Sequence, residues 1–159
     1  MKMKLHKISS SSIGVCIFMV VIMISTVCEA WEKMGFVDGA RITVKVGNGE
    51  VTAEVAKSNV KKHSGLGERK ELKAGDGMLF VFDKPNNYSF WNKGMFFTID
   101  IIWIKDGVVV DISEDMPDFE TSPNYTVTPK AEADFVLETT SGFITKHRIK
   151  IGDRVLWDN

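Results

Sequence analysis

Cysteine is nearly missing from this chain of 159 residues, and both cysteines, Cys16 and Cys28, lie among its first thirty residues. If that segment is removed, the remaining chain has no thiol, no disulfide and no cysteine-based metal site. The 129 residues that follow position 30 are enough for one domain with a single core. We therefore expect its stability to come from packing alone.

Histidine is also rare. Beyond the first thirty residues only His63 and His147 occur, and they are not spaced as a pair of transition-metal ligands. The G-x-S-x-G pattern of a serine nucleophile is absent. The acidic run at residues 111–120 lacks the alternating ligand spacing and central glycine of a calcium loop. The sequence therefore predicts no metal and no cofactor, and it leans away from an enzyme.

An excess of either charge is missing too, since the formal net charge is −1. Removal of residues 1–30 takes away three lysines and one glutamate, which leaves 17 basic and 20 acidic residues and a net charge of −3. A slightly acidic domain is poorly suited to nucleic acid or to an anionic lipid surface. We expect a monomer that binds neither.

A hydrophobic run long enough to span a bilayer is lacking. The longest apolar stretch, residues 13–27, is shorter than the roughly 20 residues that a span requires. Lys2, Lys4 and Lys7 precede it, and Cys28-Glu29-Ala30 places small residues around a cleavage point after Ala30. This is the pattern of a secretory signal peptide at residues 1–30. The predicted location is secreted or periplasmic, and the alternative is an uncleaved anchor at residues 13–27.

Short alternating runs separated by turn residues dominate the rest of the chain. Residues 42–46 and 51–55 flank Gly47-Asn48-Gly49, and residues 95–104 and 108–112 flank Asp106-Gly107. Such pairs predict β-hairpins. With at least seven short strands, we predict a mainly β fold, an antiparallel β-sandwich or open barrel with one or two short helices. The single domain should cover residues 41–157, after a tether at residues 31–40.

The stretch SFWNKGMFFTIDIIWI, residues 89–104, concentrates the aromatic side chains. Along a strand, Ile99, Ile101 and Trp103 share one face, and Asp100 points to the other. A carboxylate among isoleucines is costly unless it is paired or hydrated. Aromatic rings at this density are typical of a core. However, Asn92-Lys93-Gly94 breaks the run, and an aromatic ring beside such polar groups is also typical of sites for small molecules or sugars.

Six short motifs occur in order over residues 42–156. They are GLGER at 65–69, GMLFVF at 77–82, FWNKGM at 90–95, TIDIIW at 98–103, VLE at 136–138 followed by Gly142, and GDRV at 152–155. Together they resemble the domain of unknown function 192 family of secreted or membrane-anchored bacterial and archaeal proteins. The chain departs from the family pattern at Gly67 and Asn92, where methionine is usual, and at Gly94-Met95, where Asn-Thr is usual.

The resemblance implies a mainly β domain behind a signal or anchor, and it brings no activity. We predict a ligand-facing cluster of Trp91, Lys93 and Asp100, to which Arg69 and Glu138 are added because they match polar positions of the family pattern. The predicted function is a non-catalytic module that binds a small molecule or carbohydrate, or an accessory module. One alternative is an envelope carbohydrate hydrolase that uses Asp100 and Glu138 as its two acids. The other is a protein-docking module.

Overall fold

The structure is a computed structural model that describes residues 35–158, so the predicted signal or anchor at residues 1–30 lies outside the described residues. Residues from Phe36 onward form one compact unit. Its strands are β1 (Arg41–Val46), β2 (Gly49–Ala56), β3 (Asp76–Asn86), β4 (Phe90–Trp91), β5 (Ile99–Lys105), β6 (Val108–Met116), β7 (Thr126–Val127), β8 (Ala133–Thr140) and β9 (Val155–Asp158). Two short helices, α1 (Asn59–Ser64) and α2 (Phe143–His147), complete the described part of the chain.

Seven strands form one sheet in the order β6-β5-β8-β3-β2-β1-β9, and β4 and β7 form a separate two-stranded ribbon. The two edges of the large sheet meet at one end. There the amide of Val109 donates to the carbonyl of Asp153 at 2.9 Å, and the amide of Val155 donates to the carbonyl of Gly107 at 2.9 Å. The sheet is therefore curled into a half-barrel, which confirms the mainly β prediction in its open-barrel form.

One strand pair departs from the antiparallel prediction. Strands β2 and β3 are parallel, with Val55 opposite Leu79, whereas every other pair in the large sheet is antiparallel. A parallel pair needs a crossover rather than a tight turn. Residues 57–75, which contain α1, supply that crossover. The turn residues that predict hairpins do not predict this pairing. The parallel pairing of β2 and β3 depends on where the crossover at residues 57–75 brings the chain back to the sheet.

The central strands are buried on both faces. One cluster, which we call the inner core, contains Leu79, Ile102 and Leu137 together with residues from β1, β2 and β9. The other, the outer core, contains Phe80, Ile101 and Trp103 on the opposite face, together with Leu66 and Met95 from outside the strands. The alternation along β5 thus places Ile99, Ile101 and Trp103 in one core, as their shared face predicted.

Two local boundaries differ from the sequence-based expectation. Residues 36–40, expected to belong to a tether, are part of the domain, because Phe36 is buried against the rings of Phe135 and Trp157. The strand expected from residue 95 begins at Ile99 instead. Met95 belongs to a turn, in which its amide donates to the carbonyl of Asn92 at 3.0 Å.

Candidate functional site

A cavity of about 290 Å³ lies on the side of the sheet that carries the outer core, and residues 62–67 of α1 and the chain after it form part of its lining. We call it the aromatic pocket. Strand β3 contributes Phe80 and Phe82 to its lining, and residues 88–91 contribute Tyr88, Phe90 and Trp91. The rings of Phe80 and Phe90 meet edge to face at 4.8 Å, and those of Phe82 and Tyr88 stack at 3.7 Å. A concave apolar site with a few polar groups is the usual form of a small-molecule site.

Residues 62–67, which line one part of the pocket, are positioned by a helix cap and by a close backbone contact. The Ser58 hydroxyl caps α1 by accepting from the amide of Lys61 at 3.2 Å. After α1, the chain packs closely on the turn that follows β4: a Cβ at Gly67 would lie 2.9 Å from the Ser64 carbonyl oxygen and 3.0 Å from that of Lys93. The departure from the family pattern at Gly67 therefore permits a backbone contact that a side chain would disturb.

Glu138 is the polar group at the inner end of the pocket. On β8 it lies between Met78 of β3 and Ile101 of β5, its direct neighbours across the sheet. It is 5% exposed, and its Oε2 has no hydrogen-bond partner among the described residues. This burial raises the pKa of Glu138 to about 8, although the charge of Arg69 opposes the shift. At neutral pH the carboxyl group is therefore mostly protonated and able to donate a hydrogen bond.

Arg69, another predicted site residue, lies close enough to Glu138 to influence its pKa but does not line the pocket. Its Nη2 donates to Glu54 Oε2 at 2.8 Å, and Lys61 pairs with the other oxygen of the same carboxylate. Hydrogen bonds from Lys61 and Arg69 lower the pKa of Glu54 despite its partial burial. Arg69 is thus paired with Glu54, which gives it a structural role beside the site.

Trp91 and Lys93, also predicted from sequence, do line the pocket. Trp91 is 50% exposed and meets the His63 ring edge to face at 5.2 Å. Lys93 Nζ lies 5.8 Å from the centroid of the Trp91 ring, and Lys62 Nζ lies 4.7 Å from the centroid of Phe82. Desolvation lowers the pKa of Lys62. Neither ammonium group forms an ion pair within residues 35–158.

Asp100, the fifth predicted residue, is not in the pocket, so its assignment to the ligand-facing cluster was wrong. Its side chain points to the inner face of the sheet, where it is 1% exposed. Asp100 Oδ1 accepts from the amide of Asp115 at 3.0 Å, and Oδ2 accepts from the amide of Ile144 at 2.9 Å. The expected pairing is therefore present, but the partners are backbone amides that tie β6 and α2 to β5.

The hydrolase alternative fails on the same geometry. Asp100 is opposite Thr139, and Glu138 is opposite Ile101, so the two acids project from opposite faces of the sheet. Two carboxyl groups can act on one glycosidic bond only if they flank it from the walls of a single cleft. Asp100 and Glu138 do not share a cleft.

Asn92, where the family pattern has methionine, is completely buried. Its Nδ2 lies 2.7–3.1 Å from the carbonyl oxygens of Pro117, Asp118 and Ser122. A side-chain amide can satisfy several carbonyl oxygens of an irregular loop, which a thioether cannot. Asn92 thus fixes the loop of residues 117–122 beside the turn that carries Lys93.

That loop forms one wall of a second cavity, of about 570 Å³. The second cavity and the aromatic pocket share Trp91, Lys93 and His63. Its other side contains Phe96, which is 67% exposed, and Phe119, which is 38% exposed. Trp91 therefore lies between the aromatic pocket and a second cavity that is bordered by exposed aromatic rings.

Sequence reasoning missed several residues of the pocket: Lys62, His63, Phe80, Phe82 and Tyr88. The alternation in MLFVF places Phe80 and Phe82 on the same face as Met78, which is a usable signal. However, nothing local indicates that this face is only partly covered and leaves a cavity. Lys62 and His63 approach the aromatic rings because the crossover returns over the sheet, which is a long-range effect.

Two kinds of site are not found within residues 35–158. These residues contain no group of three or more His, Cys, Asp or Glu side chains arranged to hold a metal ion. The same part of the chain has no helix with the length and apolar character needed to cross a bilayer.

The sequence matches a known protein family over most of its length. Residues 42–157 match the model of the family described as Uncharacterized ACR, or domain of unknown function 192. The chain belongs to this family. No curated protein matches the sequence. The family assignment confirms the resemblance that the six motifs indicated, and it supplies no reaction or ligand.

Two solved structures are similar to this member of the domain of unknown function 192 family. One, from Sinorhizobium meliloti, is described as a candidate transcription regulator; it has 23% identity, a TM-score of 0.70, and the match covers 77% of this chain and 98% of that one. The other, from Novosphingobium aromaticivorans, is a protein of unknown function with 26% identity and a TM-score of 0.66, covering 74% of this chain and 84% of that one. At 23% identity, the first likeness concerns the fold alone.

Proposed function

We propose that the protein is an extracytoplasmic, non-catalytic module that binds a small molecule in the aromatic pocket. The observation that carries the proposal is the Glu138 carboxyl group. It faces the aromatic pocket from the sheet, and its Oε2 has no hydrogen-bond partner within residues 35–158. A buried polar group without a partner costs about 1–3 kcal/mol. A ligand that supplies the missing hydrogen bond would recover part of that free energy.

The size and lining of the pocket suit a compact ligand. An engineered apolar cavity of about 150 Å³ holds one benzene molecule. The aromatic pocket, at about 290 Å³, has room for a single substituted ring or a molecule of similar bulk. The edge-to-face rings of Phe80 and Phe90 offer an apolar wall on one side, and the half-exposed Trp91 offers a ring at the entrance.

A non-catalytic role is favoured over a glycoside hydrolase because the described lining of the pocket has no second carboxyl group. Within the described residues, Glu138 is the only carboxyl group that lines the pocket, and the acid expected to act with it projects from the other face of the sheet. A single acid can donate or accept a proton, but hydrolysis of a glycosidic bond requires a second group. The proposed location outside the cytoplasm rests on the signal-like residues 1–30.

A thermal-shift screen against small aromatic acids, sugars and anions tests the proposal, with a protein that begins at Trp31. A ligand at 100 times its dissociation constant adds about 2.7 kcal/mol to the free energy of unfolding, which is readily detected. The matched variants are Glu138→Gln, which changes the pocket, and Glu114→Gln, which changes an exposed acid elsewhere. Stabilisation by a hit should change in the first variant only. Hits that are insensitive to Glu138→Gln and Trp91→Ala would reject the pocket as the site.

The exposed aromatic surface favours a second candidate, a protein-docking module. Phe96, Phe119 and Trp91 are all exposed beside the second cavity. Exposed apolar patches of several hundred Å² often mark contact sites for another protein. Phe96→Ser separates the two candidates, because it alters this surface but not the lining of the aromatic pocket. It should leave small-molecule binding unchanged if the first candidate is correct.

A further inference from the structure

The charges around the aromatic pocket are unbalanced, and this imbalance bears on the class of ligand. Two lysines line the pocket, and neither ammonium group has an ion-pair partner in the described part of the chain. Among the described residues, Glu138 is the only carboxyl group in the lining, and burial keeps it mostly protonated at neutral pH. The lining is therefore net positive. Asp83 and Asp38 act on Lys62 from outside the lining, where their charges oppose the desolvation that lowers its pKa. A binding site for an organic cation would present ionised carboxylates in the lining itself.

The aromatic faces lead to the same conclusion. A pocket for an ammonium ligand leaves its ring faces open to the guest. Here the protein's own ammonium groups already occupy two of them, with Lys62 Nζ 4.7 Å from the centroid of Phe82 and Lys93 Nζ 5.8 Å from that of Trp91. A second cation placed among these rings would be repelled by both lysines. An anion would be attracted by both.

Glu138 lies on the sheet, whereas Lys62 and Lys93 lie on segments outside the sheet. Glu138 belongs to β8, is buried between Met78 and Ile101, and faces the pocket from the sheet. Lys93 is exposed on the turn after β4, and Lys62 is partly exposed on α1. A ligand that satisfies all three groups needs an anionic group at one end and a hydrogen-bond acceptor at the other, with an apolar body between them.

We propose that the aromatic pocket selects a small organic anion with a flat apolar body. Its anionic group lies between Lys62 and Lys93, its body lies against Phe80 and Phe90, and a hydroxyl or carbonyl oxygen accepts a hydrogen bond from the Glu138 carboxyl group. This inference rests on the proposed function, since it names the class of ligand for the same site. Charge-assisted hydrogen bonds from the two lysines supply the preference for an anion.

Four probes of nearly equal size separate charge from shape. They are 4-hydroxybenzoate, with an anion and a distal hydroxyl; benzoate, without the hydroxyl; 4-hydroxybenzamide, which is neutral; and tyramine, which is cationic. Binding is measured by calorimetry and by chemical-shift changes of amides around the pocket. We expect 4-hydroxybenzoate to bind most tightly, benzoate and the amide each about tenfold more weakly, and tyramine weakest, since the loss of one good polar contact costs about a factor of ten.

Charge variants test the role of the lysines. The double variant Lys62→Gln/Lys93→Gln should weaken 4-hydroxybenzoate about tenfold or more and leave 4-hydroxybenzamide nearly unchanged. The matched control is Lys73→Gln/Lys146→Gln, which removes the same charge from exposed lysines that do not line the pocket. Equal weakening by both double variants would show only a long-range charge effect. It would overturn the proposal that Lys62 and Lys93 hold the anionic group of the ligand.

The dependence on pH tests the contact with Glu138. The other titratable groups of the lining are Lys62, His63, Tyr88 and Lys93. Outside the lining, the charge of Arg69 acts on Glu138, and those of Asp38, Asp83 and Asp134 act on Lys62 or Tyr88. From about pH 6 to about pH 9, Glu138 loses its proton and gains a negative charge that repels an anionic ligand, so the affinity for 4-hydroxybenzoate should fall. In Glu138→Gln the amide still donates, so most of this fall should disappear. An unchanged pH profile in Glu138→Gln would overturn the proposed contact.

The outcomes separate this inference from the proposed function. Tighter binding of tyramine than of 4-hydroxybenzoate, with shift changes around the pocket, would overturn the anion preference and keep the pocket as a ligand site. If neither these probes at millimolar concentration nor the wider thermal-shift screen affects the amides around the pocket, both the inference and the proposed function are rejected.

Discussion

Asp100 and Glu138 are buried acids on neighbouring strands that project from opposite faces of one sheet, because Asp100 is opposite Thr139 and Glu138 is opposite Ile101. A single step along the chain reverses the direction of a side chain in a strand. The two acids therefore have different surroundings. Asp100 accepts two backbone hydrogen bonds on the inner face, whereas Glu138 faces the aromatic pocket with one oxygen that has no partner in the described part of the chain.

Glu138→Gln should change how stability depends on pH. The pKa of Glu138 is about 8 in the folded protein and 4.5 for an ordinary glutamate. Between these values the folded state keeps a proton that the unfolded state loses, so stability falls as pH rises through this window and levels off above it. The total fall attributable to Glu138 is about 5 kcal/mol at most. Urea denaturation at several pH values measures it.

The comparison of the two profiles isolates Glu138 from the other groups. Acids whose pKa is lowered, such as Glu54 and Asp153, reduce stability toward acidic pH in both proteins. Wild type and Glu138→Gln should therefore run together below about pH 5 and separate toward pH 8, with the variant more stable. Parallel profiles across the whole range would contradict the burial of a protonable carboxyl group at this position.

Asp100→Ala should destabilise the fold without altering the aromatic pocket. It leaves the amides of Asp115 and Ile144 without their acceptor, and each unsatisfied buried amide costs about 1–3 kcal/mol. Asp100→Asn keeps one acceptor oxygen and should lose less. Chemical denaturation gives the stabilities, and amide exchange at Ile144 reports the local effect. A loss of ligand binding in folded Asp100→Asn would instead connect Asp100 to the site.

Trp103→Ala and Trp91→Ala should differ strongly in stability. Trp103 is fully buried, its Nε1 donates to Ser113 Oγ at 3.1 Å, and its ring meets Phe90 edge to face. Its truncation should cost about 3–5 kcal/mol. Trp91 is half exposed, so Trp91→Ala should cost about 1 kcal/mol or less. Equal losses in thermal or urea denaturation would place Trp91 in the core and remove it from the site.

Asn92→Ala should loosen the loop of residues 117–122. The buried amide contacts three backbone carbonyl oxygens of that loop, and its removal should cost about 2–3 kcal/mol. Hydrogen exchange of residues 117–125 should speed up more than that of β5. The control is Ser122→Ala, which keeps the backbone carbonyl that Asn92 contacts and should behave like wild type. Unchanged exchange in Asn92→Ala would show that the loop is held by other contacts.

Local patterns predicted most of the secondary structure. The Asn-Gly and Asp-Gly turns correctly predicted the β1–β2 and β5–β6 hairpins. The alternation along β5 correctly placed Ile99, Ile101 and Trp103 on one face. These features depend on steric preferences and side-chain alternation over a few residues, so the sequence contains them directly.

Local patterns predicted only some of the residues that line the aromatic pocket. Trp91, Lys93 and Glu138 line the pocket, Arg69 lies just outside it, and Asp100 belongs to the other face. The alternation that separates Ile99 from Asp100 also separates Asp100 from Glu138, but only once the pairing of β5 with β8 is known. That register depends on a contact between residues almost forty positions apart.

The strands, the turns, the side chains that share a face of each strand and the family can all be read from local patterns along the chain. Long-range packing was needed to establish that β2 and β3 run parallel, that the crossover brings Lys62 and His63 over the sheet, and that Glu138 ends in a partly covered cavity. The difference lies in the range of the interactions. Backbone sterics and alternation act between neighbours, whereas a cavity exists only where distant segments fail to fill the space between them.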